Sequence, residues 1–286
     1  MIVVRTVLEL RDAVGAARER GERIGLVPTM GAFHDGHLSL MRRARERCGL
    51  VIVSLFVNPT QFNDPGDLAR YPRDEVRDAE LASSAGAHVL FAPAVHDVYP
   101  PGFSTLVEVR GVSAPLEGVA RGPEHFRGVA TVVMKLFNMA QPDEAYFGQK
   151  DAQQALLIRR MVCDLDMPVR IDVCPTVRET NGLALSSRNV LLTAEDRRRA
   201  PALFRALRAV AECVADGERD AARALRAGTA VLAAADITPE YFAAVSTETL
   251  EPVETIDRET LVALAARFGT IRLIDNVLVT PAGRAS

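Results

Sequence analysis

The chain has 286 residues, of which 48% are hydrophobic and 25% are charged, and its formal net charge is −3. This composition supports an ordinary globular core, and at roughly 150 residues per domain the length predicts two domains. The slight acidic excess argues against a broad nucleic-acid surface, so an anionic ligand would need a local basic site.

The N-terminal segment "MIVVRTVLELRDAV" carries Arg5 and Glu9, and it has no apolar stretch followed by a small-residue cleavage site. We therefore expect no signal peptide. No run of about 18 uncharged apolar residues occurs, so we expect no membrane span and no membrane partner, and the cysteine content suits a cytoplasmic location. The four cysteines lack the spacing of a zinc site or a redox pair and are predicted to be reduced and buried: Cys48, Cys163, Cys174 and Cys213.

Segments typical of helices and of strands alternate through the first part of the chain. Helical spacing of apolar residues covers 8–20, 38–47, 73–87, 125–141 and 151–165. Runs typical of buried parallel strands cover 23–30, 50–57, 88–93, 144–148 and 169–177. This alternation predicts an α/β fold with a Rossmann-like, doubly wound parallel sheet, in which ligands bind beyond the carboxyl ends of the strands.

The pattern changes near Thr193. Two long helical segments rich in Ala and Arg, 193–217 and 218–235, precede three strand-like segments at 241–246, 261–268 and 270–279. Helices followed by strands are typical of a separate α+β unit. We therefore predict a Rossmann-like domain over residues 1–176 and a second, smaller α+β domain over residues 177–286.

His34 and His37 lie in the stretch "VPTMGAFHDGHLSLM", between a predicted strand and a predicted helix. The free N–H groups at a helix N-terminus favour phosphate, and an imidazole can add a donor where negative charge develops. Gly31 and Gly36 would let a ligand approach the backbone closely. Two alternatives stay open from this stretch alone: the rings could only hydrogen-bond within a turn, or they could form a metal pair.

Three further segments carry candidate side chains at strand ends or at the domain junction. In "FGQKDAQQ", Lys150 could reach a phosphate, and a solvated lysine beside a helix-capping Asp151 is the alternative. In "RETNGLALSSRN", two serine hydroxyls beside Arg188 could bind an anion. In "FVNPTQF", the amides of Asn58 and Gln61 suit a neutral or carboxylate-bearing small molecule. A plain turn is the alternative for these last two segments.

These segments, in their order along the chain, resemble the pantothenate synthetase family, the pantoate–β-alanine ligases. The resemblance rests on "PTMGAFHDGHLSL", "FVNPTQF", "HFRGVATVV", "FGQKDAQQ", "RETNGLALSSRN" and "RLIDN", with "HDGH" as this family's form of the HIGH motif. It implies that the pantoate carboxylate attacks the α-phosphorus of ATP, giving pantoyl adenylate and pyrophosphate, and that β-alanine then displaces AMP. It also implies that Mg²⁺ accompanies ATP and that the protein is a homodimer.

The resemblance also implies roles for individual residues. The catalytic residues would be His34, His37, Lys150 and Arg188, with His37 stabilising charge on the leaving pyrophosphate. The ATP-binding residues would be Met30, Gly31, Ala32, Phe33, His34, Asp35, Gly36, His37, Gly148, Gln149, Lys150, Asp151, Val177, Leu185, Ser186, Ser187 and Arg188. The substrate-binding residues would be Gln61, Gln154, Asn58 and Arg121, of which the two glutamines would bind pantoate.

Two departures from the family pattern bear on these roles. An acidic pair linked with magnesium commonly follows "YPR", but here Arg77 precedes Asp78, which leaves Asp78 as the implied metal-contacting residue. "ARGPEHF" contains an extra residue between Arg121 and His125, which bears on the usual place of Arg121 near β-alanine. Two alternatives to the ligase remain: another HIGH-type nucleotidyltransferase, and a nucleotide-binding regulator without chemistry.

Overall fold

The computed structural model describes residues 1–63 and 65–281 and divides into two compact units. The first unit comprises residues 1–149 and 153–175, and the second comprises residues 150–152 and the chain from residue 176 onward. The short segment 150–152 therefore belongs to the second unit, although it falls inside the predicted first domain, 1–176. Residues 282–286 of the predicted second domain lie outside the described part of the chain.

The first unit contains a six-stranded parallel sheet. Its strands are β1 (Ile2–Val4), β2 (Ile24–Thr29), β3 (Leu50–Leu55), β4 (Val89–Phe91), β5 (Glu144–Gly148) and β6 (Arg170–Cys174). They lie in the order β1-β4-β3-β2-β5-β6. Val51, Ile52 and Val53 of β3 are all fully buried although consecutive strand residues point to opposite faces, so both faces of the sheet are covered. The predicted doubly wound parallel sheet is confirmed.

Helices of the first unit follow or precede each strand. They are α1 (Val7–Glu19), α2 (Asp35–Arg47), α3 (Pro65–Arg70), α4 (Glu75–Ser84), α5 (Val95–Val98), α6 (Glu117–Arg121), α7 (Pro123–Ala140) and α8 (Ala152–Asp164). The five helices predicted for this part of the chain correspond to α1, α2, α4, α7 and α8. The predictions missed β1, α3, α5 and α6, because elements this short do not display a hydrophobic period.

The strand order reverses between β2 and β5. From β2 the chain runs outward through β3 and β4, and it then returns to the other side of β2 with β5 and β6. Continuing the observed register of β2 with β5, which pairs Gly25 with Glu144, brings Thr29 level with Gly148 at the carboxyl ends of the two strands. Doubly wound sheets bind ligands in the crevice at such a reversal, so the fold points to the segments that follow Thr29 and Gly148.

The second unit contains an antiparallel sheet packed against helices. These elements are α9 (Ala194–Arg199), α10 (Ala202–Ala215), α11 (Ala221–Ala234), β7 (Pro239–Ser246), β8 (Thr260–Phe268) and β9 (Ile271–Val279), with strand order β7-β8-β9. Leu203, Leu207 and Val210 of α10 belong to its buried core. The α+β class is confirmed, but the continuous helix predicted over 193–217 is wrong. It is interrupted between α9 and α10 at Pro201, which has no backbone N–H to donate to a helix.

The cysteines differ from the prediction in part. Cys48 and Cys174 are buried, whereas Cys163 is exposed and Cys213 is only half-buried. Burial raises the pKa of the Cys174 thiol to about 11, so this side chain stays protonated near neutral pH.

Across the described residues, no helix is long and apolar enough to cross a membrane.

Candidate active site

The loop between β2 and α2 is held by the two histidines of "HDGH". His34 caps α2, because its Nδ1 accepts a hydrogen bond from the N–H of Gly36 at 3.1 Å. The Nδ1 of His37 accepts from the N–H of His34 at 3.4 Å, which completes a capping box with imidazoles in place of the usual Ser and Glu. The two ring centroids lie 4.2 Å apart. Both rings therefore occupy fixed positions at the N-terminus of α2.

These hydrogen bonds also decide which nitrogen of each ring carries the proton. A ring nitrogen that accepts a hydrogen bond has no proton, so in neutral His34 and His37 the proton lies on Nε2. The atom through which each neutral ring can donate to a ligand oxygen is therefore Nε2. A metal ion would instead need the unprotonated Nδ1 atoms, which already accept backbone N–H groups. The geometry favours an anion over a metal pair.

Asp78, in the first turn of α4, holds the same loop from a distant part of the chain. Its Oδ2 accepts from the N–H of Ala32 and its Oδ1 from the N–H of Phe33, both at 2.8 Å, and the side chain is 1% exposed. Gly31 and Ala32 have positive φ values of 88° and 54°. A Cβ on Gly31 would lie 2.8 Å from the carboxylate, so glycine is required here. The buried carboxylate stabilises this strained loop.

Asn58 organises the segment that follows β3. This residue is 1% exposed, and its Oδ1 accepts from the hydroxyls of Tyr99 and Thr60, both at 2.9 Å. Burial raises the pKa of the Tyr99 phenol, which keeps this donor protonated. The Nδ2 of Asn58 donates to Oε1 of Gln61 at 2.9 Å, and Nε2 of Gln61 donates to Sδ of Met30 at 3.2 Å. Asn58 therefore orients Gln61, and its burial favours this positioning role over the direct substrate contact predicted for it.

Two consecutive glutamines of α8 have different environments. Gln153 is 5% exposed, and its Oε1 accepts from the N–H of Glu117 at 2.9 Å. Its Nε2 donates to the carbonyls of Val112 and Pro115 at 2.9 and 2.7 Å. Gln154, which the sequence predicted as a substrate ligand, is half-buried. Gln153 therefore stabilises the loop over 112–117, a role that the sequence prediction missed.

Arg121 forms an ion pair within its own helix, α6. Its Nε lies 3.1 Å from Oε2 of Glu117, whose side chain is largely buried. Gly122, with a φ of 75°, ends α6 and accommodates the extra residue noted before His125. A contact between Arg121 and β-alanine, as predicted, would have to compete with this ion pair.

The segment after β5 is a 3₁₀ turn over Gln149–Asp151. Asp151 lies inside this turn, ahead of α8, and its Oδ1 is 3.6 Å from Nζ of Lys150. Within the second unit, Nδ2 of Asn276 donates to the carbonyl of Lys150 at 3.0 Å. The sequence contains only two lysines, Lys135 and Lys150, among 34 Lys and Arg residues. A lysine at this turn is therefore unusual in a chain whose other basic residues, Lys135 excepted, are arginines.

Residues 177–188 form a hairpin followed by a turn in the second unit. The N–H of Leu185 donates to the carbonyl of Val177 at 3.0 Å, so these two predicted ATP-binding residues lie opposite each other. The hydroxyl of Ser186 accepts from the N–H of Arg188 at 3.2 Å. Ser186, Ser187 and Arg188 are all half-buried. One of the two predicted serine donors therefore already contributes to the turn that presents Arg188.

The described side chains do not form a cation site. Within residues 1–63 and 65–281, no group of three or more His, Cys, Asp or Glu is arranged to hold a metal ion. Both oxygens of Asp78 accept backbone N–H groups. The predicted metal contact of Asp78 is at odds with this geometry, because a coordinating oxygen would have to release the loop after β2.

The sheet reversal, the histidine-capped helix and the oriented amides define an α/β enzyme with a Rossmann-like domain. A sequence model of the family described as "Pantoate-beta-alanine ligase" matches residues 2–278. The chain is 54% identical over 280 residues to the pantothenate synthetase of Moorella thermoacetica, covering 98% of this chain and 99% of that protein. The protein belongs to the pantoate–β-alanine ligase family and is a ligase of pantothenate biosynthesis.

Solved structures agree with this assignment. The pantothenate synthetase of Thermus thermophilus matches with a TM-score of 0.92 at 49% identity, covering 98% of this chain and 100% of that chain. The pantoate-beta-alanine ligase of Francisella tularensis, solved as a complex with beta-gamma ATP and β-alanine, matches with a TM-score of 0.79 at 35% identity. That match covers 97% of each chain.

Proposed function

We propose that the protein condenses pantoate with β-alanine through a pantoyl-adenylate intermediate, using ATP and releasing AMP and pyrophosphate. The observation that carries this proposal is the placement of His34 and His37 at the N-terminus of α2, where the Nδ1 of each ring accepts a backbone N–H. Donors fixed in advance stabilise charge that develops on phosphate oxygens in the transition state. The ATP and β-alanine bound to the Francisella relative also support it.

In the first step, a carboxylate oxygen of pantoate attacks the α-phosphorus of ATP. A new O–P bond forms, the bond to the bridging oxygen of pyrophosphate breaks, and that oxygen takes the electron pair. His37 donates a hydrogen bond to the leaving pyrophosphate, while Lys150 and Arg188 offset its charge. Aligning the carboxylate in line with the leaving group supplies much of the remaining acceleration. The other predicted ATP contacts, with Asp151 on the ribose, belong to this proposal.

In the second step, the amine of β-alanine attacks the acyl carbon of pantoyl adenylate. A C–N bond forms, the bond between the acyl carbon and the AMP oxygen breaks with its electron pair leaving on AMP, and the proton that the amine loses passes to solvent. We assign pantoate binding to Gln61 and Gln154, with Gln61 also next to β-alanine. Asn58 orients Gln61 through the hydrogen bond of 2.9 Å between their side chains.

We propose that magnesium enters with ATP and is held mainly by phosphate oxygens. Magnesium prefers octahedral oxygen coordination and keeps several waters, and nucleotide phosphates can supply most of its other ligands. This fits the lack of a cluster of metal-ligating side chains in the described residues. No step assigned to this chain's residues depends on a protein ligand to the metal.

Isotope exchange between pyrophosphate and ATP tests the two-step mechanism. Exchange should require pantoate but not β-alanine, because the first half-reaction is complete without the amine. Exchange that requires β-alanine would reject the adenylate intermediate. AMP transfer to a phosphate acceptor would favour another HIGH-type nucleotidyltransferase, and ATP binding without AMP release would favour a regulator.

A homodimer and a cytoplasmic location are further parts of the proposal, and they rest on the family. Sedimentation equilibrium of the full chain should give a particle of twice the chain mass. A particle of a single chain mass over the concentration range of the assay would reject the dimer.

We expect Gln154→Ala to raise the KM for pantoate about tenfold, the effect of losing one hydrogen bond of typical strength. The KM for ATP should change much less. Gln153→Ala is the matched variant, because it removes the neighbouring amide that holds the loop over 112–117. It should lower the melting temperature without a selective effect on pantoate. Equal shifts of the pantoate and ATP constants in Gln154→Ala would exclude a pantoate-specific contact.

We expect Asp78→Asn to lower kcat/KM for ATP by roughly 10- to 100-fold, because an amide nitrogen cannot accept a hydrogen bond from the loop. The dependence of the rate on free Mg²⁺ at saturating ATP should stay as in the wild type. Asp74→Asn is the control, since its remaining oxygen can still accept from the N–H of Arg77 and cap the same helix. A raised magnesium requirement in Asp78→Asn would instead favour the metal contact predicted from the sequence.

A further inference from the structure

Two consecutive polar residues, Asp275 and Asn276, are buried in strand β9, whose other residues are apolar apart from Arg272. They are 3% and 4% exposed. Because consecutive strand residues point to opposite faces, both faces of the sheet are covered at this position. Buried polar groups are hydrogen-bonded in stable proteins. The partners of this pair lie in two segments to which we assign ATP-binding residues.

Asp275 holds the hairpin over 177–188. Its two oxygens accept hydrogen bonds from the guanidinium of Arg178 at 2.6 and 2.9 Å. Arg178 also donates to the carbonyl of Gly182 at 3.2 Å, and its Cζ lies 3.7 Å from the ring centroid of Phe204. Burial raises the pKa of the Asp275 carboxyl, and the Arg178 guanidinium opposes that shift. Arg178 is thus fixed from three sides at the start of the hairpin that leads to Arg188.

Asn276 holds the turn that carries Lys150. Its Nδ2 donates to the carbonyl of Lys150 at 3.0 Å, and its own backbone N–H donates to Oδ1 of Asp275 at 2.8 Å. A continuous series of hydrogen bonds therefore runs from Arg178 through Asp275 and Asn276 to Lys150. The hydrogen bond between Asn276 and Lys150 agrees with the grouping of residues 150–152 with the second unit.

We propose that Asn276 is a positioning residue for Lys150. By binding the carbonyl of Lys150, it gives the 3₁₀ turn one backbone arrangement, from which the ammonium group extends to the phosphates. The hydrogen bond between Asn276 and Asp275 joins this turn to the hairpin that leads to Arg188. One pair of β9 residues therefore fixes the backbone of the two segments that carry Lys150 and Arg188. The inference rests on the proposed phosphate role of Lys150.

Asn276→Ala and Asn276→Asp both remove the donor, and the second does so without a change of size. Each should raise the KM for ATP about tenfold, the effect of one lost hydrogen bond, with little change in the KM for β-alanine. Amide hydrogen exchange in residues 149–152 should become faster in both variants, and this second readout needs no turnover.

Thr260→Val is the matched control in the neighbouring strand β8. Thr260 is 1% exposed and its hydroxyl donates to the carbonyl of Arg258 at 3.0 Å, so the substitution removes a similar buried bond. It should leave both the KM for ATP and the exchange of the 149–152 turn unchanged. Equal effects in Thr260→Val and Asn276→Ala would overturn the proposal, because they would reflect general destabilisation of the unit.

An effect confined to Asn276→Asp would also overturn the proposal, since it would reflect the added negative charge. If neither variant folds, Asn276→Ser gives the same comparison, because its hydroxyl is too short to reach the Lys150 carbonyl. Unchanged exchange of the turn in a folded variant would reject the positioning contact itself. A wild-type protein without pyrophosphate–ATP exchange would contradict the proposed function instead, so the two failures are distinguishable.

Discussion

His37→Ala should slow pyrophosphate–ATP exchange by about 10²–10³-fold, the usual loss when one well-placed donor to developing charge is removed. Affinity for ATP should fall less than the rate, because the N-terminus of α2 and Lys150 still attract the phosphates. The second step should be less affected when pantoyl adenylate is supplied directly, since pyrophosphate has already left. Exchange that survives the mutation at full rate would reject the role assigned to His37.

Two further substitutions distinguish the roles of the two ring nitrogens of His37. His37→Asn keeps a polar group near the position of Nδ1, which accepts from the N–H of His34 at 3.4 Å. His37→Gln can place an amide N–H near the position of Nε2. We expect the Gln variant to retain more exchange activity than the Asn variant, and the reverse order would show that the shape of the loop matters more than the donor. His96→Ala, at a histidine that is 77% exposed, is the control and should match the wild type.

Lys150→Ala should leave the fold intact and lower turnover by at least about 10²-fold, because one positive charge at the phosphates is lost. The Lys150 side chain is partly exposed at a turn, so alanine removes little buried apolar contact there. Circular dichroism and the melting temperature should show a folded protein. Normal turnover at saturating ATP would contradict the phosphate role.

The other lysine of the chain provides an internal control for this prediction. Lys135 lies in α7, with its Nζ 4.6 Å from the ring centroid of Phe103. Lys135→Ala makes the same change of charge and should retain turnover. In the wild type, ATP should protect Lys150, but not Lys135, from an amine-acylating reagent, as read by mass spectrometry of the two peptides. Equal protection of both lysines would indicate a general effect of ATP on the fold.

The sequence by itself determined the class of fold, most of the elements and where the two histidines of the main motif lie. The spacing of apolar residues, and the residues that begin or end a helix or strand, depend on neighbours within a turn or two. Both can therefore be recognised without the tertiary structure. The spacing of His34 and His37 at a predicted helix start is a local feature of this kind, and the helix does begin there. The quoted motifs were also sufficient to indicate the family before any geometry was known.

Other features depended on partners that are remote in the chain, and only the tertiary structure decided them. Asp78 and Ala32 are 46 residues apart in the chain. The sequence therefore assigned Asp78 to a metal contact, whereas in the fold its carboxylate accepts backbone N–H groups. Gln153 and Gln154 are the same residue type at adjacent positions, but packing buries Gln153 and leaves Gln154 half-buried. Asn276 and Lys150 are 126 residues apart. Local propensity carries no information about contacts of this separation, because they form only when distant segments are brought together by the burial of the core.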